Sequence, residues 1–530
     1  MNLEEVETKE TLMNKYVAIF HANLNYAFLI PESYERVIRS SYEVIIDGFD
    51  KYPDEKYVFE ASGYTIEQMA EITPDVLEKL KAAISRGQCD FMGAPYSHPI
   101  MANIPEEDGY WSCEFAQRVY EKHLGMRAES FWNPECTWMQ YVPNAFARAG
   151  IKYLTLDFES YMTCTDKDYS WTERNRTHDM NWGGHLPWYD LDPNCKFLHR
   201  PFKNIVPGLA GFCRSDRLIG KYLSYFRGNT TVEEYVENVK KWSGDGQGAT
   251  IIIADDAEYC GTTGYYFIKY KGDYSQTFLT DPTAAEKLDA LIRGVQKIGS
   301  LVGFKEACTE IEPVEEPFFV EDRFAWHRTY ADAWANTPEA RAWEPLLQAN
   351  RDEYKEKYQP IVEAEENKEK FKELVEKFWF HMTNSANSDG RWPPPPQVTC
   401  EFNRDWCLHE IEEARNVLVE LAEAVKGYKL PESEEVVMPA KNDWRYGFRF
   451  TDKDPEDIKH LNSYEIQHAI YYAHKMVDSD NAERVQHGKK LLVQIFDELD
   501  SRGMKGIRPG SISGGKAHGT VSAKVATNKD

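Results

Sequence analysis

The chain has 530 residues, 42% of them apolar, and a formal charge of −25. That length exceeds what one core supports, so two or three domains are expected. The acid excess argues against nucleic acid or an anionic membrane as partner, since both select basic patches. No apolar run reaches the ~18 residues of a membrane span. Residues 1–15 are charged and lack the apolar core of a secretion signal. Ten cysteines in such a chain read as reduced thiols in a cytoplasm. No Cys-x-x-Cys pair occurs, so no structural metal is expected.

Residues 1–312 repeat one theme: an apolar strand-like run, a polar residue at its end, then an amphipathic helix pattern. The run 16–20 ends at His21-Ala22-Asn23, ahead of a helix pattern over 32–51. Tyr57-Val58-Phe59 ends at Glu60, followed by helix patterns over 65–72 and 74–86. Residues 89–92 lead to Tyr96-Ser97-His98-Pro99-Ile100. A fourth run ends at Glu135, a fifth (151–156) at Asp157, and 249–253 ends at Asp255-Asp256-Ala257-Glu258. Strands alternating with helices at these spacings imply βαβ units and a mostly parallel sheet. In barrels built this way chemistry lies at the carboxyl ends of the strands. His21, Glu60, His98, Glu135, Asp157 and Asp256 all fall there. One such residue would be a cap or turn former; six, with several carboxylates and two histidines, favour a site.

Residues 157–201 form an insertion whose Trp, Gly and His suit a loop roofing a cleft or a surface cluster of its own. Within it 196–201 has strand character, and 210–216 suggests one more strand. Residues 313–317 read as an acidic, proline-containing linker. Helix patterns over 337–357, 360–380, 403–426 and 464–502 then imply a helical bundle, 313–504. A polar loop from Met382 to Trp392, followed by the proline run 393–396, is placed to reach back over a barrel mouth. The Gly, Ser, Lys and Ala of 505–530 suit a disordered tail.

The stretch Ser130-Phe131-Trp132-Asn133-Pro134-Glu135-Cys136-Thr137-Trp138 carries the sharpest signal. Pro134 fixes its own φ and pushes Asn133 towards an extended shape, so Glu135 is expected on a held turn. Trp132 and Trp138 offer flat faces suited to sugar rings. The plainer alternative is a surface glutamate between two core aromatics. Paired carboxylates support glycoside hydrolysis, with a separation of ~5–5.5 Å when the anomeric configuration is retained. Glu135 and one acid of 255–258 are the best pair, since both end apolar strands. Strand alternation puts Asp256 and Glu258 on one face and Asp255 on the other.

His21-Ala22-Asn23, Tyr96-Ser97-His98-Pro99-Ile100, Trp132-Asn133-Pro134-Glu135-Cys136 and Asp256-Ala257-Glu258-Tyr259-Cys260-Gly261 resemble successive motifs of glycoside hydrolase family 57. The resemblance implies an α/β chain with an incomplete (β/α)7 barrel followed by an α-helical bundle domain. It implies a nucleophile at Glu135, an acid/base at Asp256, sugar-binding histidines at His21 and His98, and a further acidic site residue at Glu258. Ser388-Asp389-Gly390-Arg391-Trp392 loosely matches a fifth motif, which would bring Asp389 and Trp392 towards the sugar. The first motif departs from the usual His-Gln-Pro, and residues 157–201 and the proline run depart from typical amylases. The implied activity is that of a retaining α-glycosidase or α-glucan transferase acting on α-linked oligosaccharides or short glucans without a cofactor. An α-galactosidase or another exo-α-glycosidase is the alternative. Tyr96, Trp132 and Trp138 would wall the sugar, and Glu60 and Asp157 would join the histidines and Glu258 as substrate-binding residues. Two other classes stand beside this one. A metal-dependent carbohydrate enzyme would use His21, His98 and Asp157 as ligands but gives the Trp-x-Pro-Glu turn no role. A catalytically silent sugar-binding protein would not need both carboxylates.

Overall fold

The apolar runs pair side by side into one curled sheet. The structure, a computed structural model, describes residues 14–139, 141–165, 192–264, 278–318, 320, 324–326, 329–335, 337–392, 401–428, 458, 473, 476–477 and 482–501. Most of the 157–201 insertion, the proline run, the first part of the 464–502 helix pattern and the 505–530 tail lie outside the described residues.

The sheet contains β1 (Asn14–Ala22), β2 (Tyr57–Ser62), β3 (Cys89–Ala94), β4 (Ser130–Phe131), β5 (Tyr153–Asp157), β6 (Phe202–Val206), β7 (Leu209–Arg214), β8 (Ala249–Asp256) and β9 (Gly299–Leu301). Its order is β6-β7-β5-β4-β3-β2-β1-β8, with β9 beside the start of β1. β6 and β7 run antiparallel, while the other pairings are parallel. β7 and β8 approach each other across the seam, and no ladder joins them among the described residues. The barrel is therefore incomplete, as expected.

Alternation along β1 sorts its side chains between two layers. Val17 and Ile19 point inward to a cluster with Val58, Met92, Trp132, Phe212, Ile251 and Ala254. Tyr16, Ala18 and Phe20 face the surrounding helices, where Phe20 packs edge-on against Phe49 and Tyr222. β8 carries one residue more than its partner: Val17 is in register with Ile251, but Ala18 with Ile253. This bulge at Ile252 reverses the phase of the strand beyond it, so that Ala254 faces inward and Asp256 comes into register with His21.

Three segments differ from expectation. Lys196–His199 is a single helical turn, not a strand, because the His199 ring is bonded on both sides, to Thr250 Oγ1 (2.9 Å) and the Pro193 carbonyl (2.7 Å). The strand begins only at Phe202 and turns into β7 through Pro207-Gly208, where Gly208 takes φ 85°. The expected linker 313–317 is pinned to the sheet, since the Val314 amide donates to the Pro201 carbonyl (2.9 Å). A short hairpin, Phe324–Ala325 with Thr329–Tyr330, follows it.

Beyond the barrel lie the helices Pro338–Glu353, Lys368–Asn384, Glu401–Ala424 and Ala482–Ser501. The second helix pattern starts at Lys368, not 360, because Asn367 closes a turn onto the Ile361 carbonyl (2.9 Å). Among the described residues no helix is long and apolar enough to cross a membrane. The helical part is fastened to the barrel by polar contacts. Asn387 Nδ2 donates to the Ser97 carbonyl (2.7 Å), and the Ser388 amide to the His98 carbonyl (3.2 Å). Deeper in, Arg351 grips Asp108 of the helix Glu106–Leu124 through two contacts, 3.2 and 2.5 Å, with both side chains almost wholly buried. Removing one partner leaves an uncompensated buried charge. Arg351→Ala should therefore cost about 3–5 kcal/mol in denaturant unfolding. A loss below about 1 kcal/mol would mean that water reaches the pair.

Candidate active site

One row across three strands makes the floor of the site. His21 at the end of β1 is in register with Asp256 of β8 on one side and Glu60 of β2 on the other. His21 Nδ1 is hydrogen-bonded to Glu60 Oε2, and His98 Nε2 lies 3.7 Å from Glu60 Oε1. The His21 ring is 4.8 Å from that of His98 and 5.3 Å from Trp132. Burial drives all three ionisable groups towards neutrality, the histidines down and Glu60 up. Asp256 keeps part of its surface exposed, whereas its row neighbours are covered.

Glu135 rises beside this row on the turn Pro134–Cys136. Asn133 is extended, at φ −90° and ψ 112°, as the following proline demands. Glu135 and Cys136 then both take left-handed conformations, at φ 54° and 47°. Such a conformation costs on the order of 1–3 kcal/mol per residue and persists only where neighbours impose it. The imposition is visible: Asn133 Nδ2 donates to the Thr137 carbonyl (2.7 Å), and its amide to Thr155 Oγ1 (3.2 Å). His98 is strained in the same way, at φ 55°.

Glu135 is 9% exposed, and Trp326 Nε1 donates to its Oε2. The Arg214 guanidinium lies 4.9 Å from the centre of the Trp326 ring. Arg214 is itself held by Asp157 (2.8 Å) and Asp216 (2.7 Å). Burial, then the negative charge of Asp389, push the Glu135 carboxyl up to about 8, while Trp326 and Arg214 pull the other way. Asp256 is raised well above the carboxylate range by burial, then by Asp255, Glu258, Glu135 and Asp389. Of the two, Glu135, bonded by Trp326, is suited to ionise, and Asp256, ringed by negative charges that include Glu135, is suited to keep a proton.

The remaining expected residues divide. Asp389 reaches the loop after β1, accepting from the Ala27 amide (2.8 Å) and Asn23 Nδ2 (3.3 Å). Trp392 packs between Tyr26 and Trp334 at 6.2 and 6.0 Å. Glu258 holds the same loop from below, accepting from the Asn23 amide (2.8 Å) and the Tyr42 hydroxyl. Asp157 grips Arg214 and the start of the next helix through Ser160 (2.8 and 2.6 Å). Tyr96 and Trp138 make their contacts elsewhere: Tyr96 with Glu67 and Phe380, Trp138 with Phe318 at 4.9 Å. Sequence reasoning missed Arg214, Asp216 and Trp326. Applying the strand-end rule to residues 210–216 would have found the first two. Trp326 lies 191 residues from the carboxylate it touches, and no local pattern marks it.

Residues 2–315, more than half of the chain, match the model of glycosyl hydrolase family 57. An α-amylase of Pyrococcus abyssi is 27% identical over 139 residues, 26% of this chain and 20% of the relative. A 4-α-glucanotransferase of Thermococcus litoralis is 24% identical over 270 residues, 50% of this chain and 35% of the relative. The chain thus spans 20 and 35% of the length of these two relatives. A branching-enzyme structure from Thermococcus kodakaraensis superposes with a TM-score of 0.55 at 12% identity, over 79% of this chain and 92% of that one. The Thermococcus litoralis glucanotransferase structure gives 0.51 at 18% identity, over 76% and 60%. These likenesses carry the barrel-and-helices fold. The family model runs through all three strand ends of the row and the strained Glu135 turn, and the chain belongs to glycosyl hydrolase family 57.

Proposed function

We propose that the chain is a retaining α-glycosidase or α-glucan transferase acting on α-linked oligosaccharides or short glucans. The observation that carries this reading is the contrast between two carboxyls at the strand ends, Glu135 bonded by Trp326 and Asp256 ringed by negative charges that include Glu135. The ionised Glu135 attacks the anomeric carbon while Asp256 delivers its proton to the departing oxygen. A glycosyl ester on Glu135 results. Asp256, now a carboxylate, takes a proton from water or from an acceptor sugar, which attacks and releases the product with retention. His21 and His98 would bond ring hydroxyls, and the Trp132 ring beside His21 supports them. The presence of both α-amylase and glucanotransferase names among its relatives supports both acceptors, water and sugar. A cytoplasmic setting accords with the eight free cysteines among the described residues.

The deciding experiment follows products by NMR from a panel of aryl α-glycosides and malto-oligosaccharides. Retention with glucosides is expected; action on galactosides alone would move the substrate to the exo-acting alternative. Inversion would remove the mechanism.

Two further results are expected. Trp326→Phe deletes a hydrogen bond to a charged group, worth about 1.5–3 kcal/mol, so kcat should fall roughly 10- to 150-fold. Because that bond favours the ionised form, the ascending limb of the kcat/KM profile should also move to higher pH. An unmoved profile would reduce Trp326 to packing. Asp389→Asn should act in the opposite sense. It deletes the negative charge that most raises Glu135, so the ascending limb should move towards acid. A shift to alkali would mean that Asp389 acts through the loop it holds.

A further inference from the structure

The metal-dependent alternative joined His21 and His98 to Asp157, but the structure joins them to Glu60. The ligand atoms of His21, Glu60 and His98 all lie within 4.8 Å of one another, and Asp157 belongs to a separate group with Glu159 and Asp216. We propose that His21, Glu60 and His98 chelate a borderline-soft divalent cation, zinc above all, and that a cation held there excludes sugar from the same end of the barrel. The exclusion rests on the glycosidase reading; the chelation does not.

Four observations carry it. The ligands come from β1, β2 and the strained turn after β3, so three separate elements fix their relative positions. Glu60 Oε1 and His98 Nε2 are 3.7 Å apart, and a tetrahedral zinc with ligands at ~2.0–2.2 Å sets neighbouring donors ~3.3–3.6 Å apart. These same two atoms are buried and have no hydrogen-bond partner, a cost that one cation would relieve at both. Among the described residues no lysine or arginine pairs with any of the three side chains. The donor set then chooses the ion. Two imidazoles and one carboxylate suit zinc, whereas magnesium and calcium take oxygen ligands. The group of Asp157, Glu159 and Asp216 offers only oxygens and already encloses the Arg214 guanidinium, so it is a poor rival. Open coordination positions would face Asp256, which neighbours His21 in the row and is partly exposed.

The test is calorimetry of the chelator-treated full chain with zinc chloride, in the absence of sugar. One equivalent should bind, and neither magnesium nor calcium should compete. Glu60→Gln and His98→Gln, each checked for a cooperative unfolding transition, should weaken zinc at least about tenfold, since each removes one of three ligands. Unchanged affinity in either folded variant would overturn the site. The unmutated chain gives a second readout through cobalt. A tetrahedral visible band without thiolate charge transfer is expected, and a thiolate band would move the ion to a cysteine. Maltose added to the zinc titration should raise the apparent Kd; an unaltered Kd would overturn the exclusion. Zinc bound at this site by a chain inactive on every glycoside would sink the glycosidase reading alone.

Discussion

Glu135→Gln is expected to abolish turnover, by on the order of 10⁴-fold or more, while raising stability at alkaline pH. The amide preserves the shape that Trp326 holds but cannot form a glycosyl ester. The effect on stability follows from the direction of the shift. Burial raises the folded-state carboxyl to about 8 from an ordinary 4.5, so the protonated form is the one the fold prefers. Its contribution to stability is fully present below about 4.5 and is lost as pH rises through about 8. Glutamine does not titrate. The variant should match the parent at pH 5 and exceed it near pH 9 by up to a few kcal/mol, at about 1.4 kcal/mol per pH unit. Denaturant unfolding at the two pH values checks this. Residual activity above a few per cent on an activated α-glycoside would place the nucleophile elsewhere, and a stability gain equal at both pH values would trace it to packing. The strained turn that sets Glu135 in place and its buried carboxyl share one logic, since both cost the fold stability, the cost expected of a functional site.

How far the sequence carried the fold depended on which layer decided each feature. Parallel strands covered on both faces read as short apolar runs, so residues 16–20, 57–59 and 249–253 revealed β1, β2 and β8. Their polar ends revealed His21, Glu60 and Asp256, which meet in one row because adjacent parallel strands end together. The same signal cannot tell a site residue from a structural one: Asp157, equally at a strand end, holds Arg214 and a helix start. Aromatic identity is no more telling. Trp132 faces the barrel interior, while Trp138, six residues on, packs in the outer layer with Phe318. Trp326 reaches Glu135 only through the tertiary fold, and three-residue β9 is too short to show a period. The bulge was hidden for a simpler reason. Ile251-Ile252-Ile253 is apolar throughout, so no polar residue reveals where the phase slips.

That slip decides which aspartate enters the barrel beside His21. Counting by twos from inward-facing Ile251 would turn Asp255 into the barrel, and only the extra residue at Ile252 turns Asp256 there instead. Asp255 instead accepts the Asp256 amide (2.9 Å) and helps to hold the neighbouring carboxyl protonated. Asp256→Asn should therefore lose about 10²–10⁴-fold on substrates whose leaving group needs a proton. On an aryl glycoside with an acidic phenol, formation of the glycosyl ester should survive. Its breakdown, which needs Asp256 as base, should become slow, so a burst of phenol followed by weak steady turnover is expected. Asp255→Asn should give smaller losses, similar for both substrates and without a burst, because it touches the chemistry only through the charge it sets near Asp256 and Glu135. If instead Asp255→Asn shows the burst and Asp256→Asn does not, β8 enters the site in the unbulged phase and the acid is Asp255.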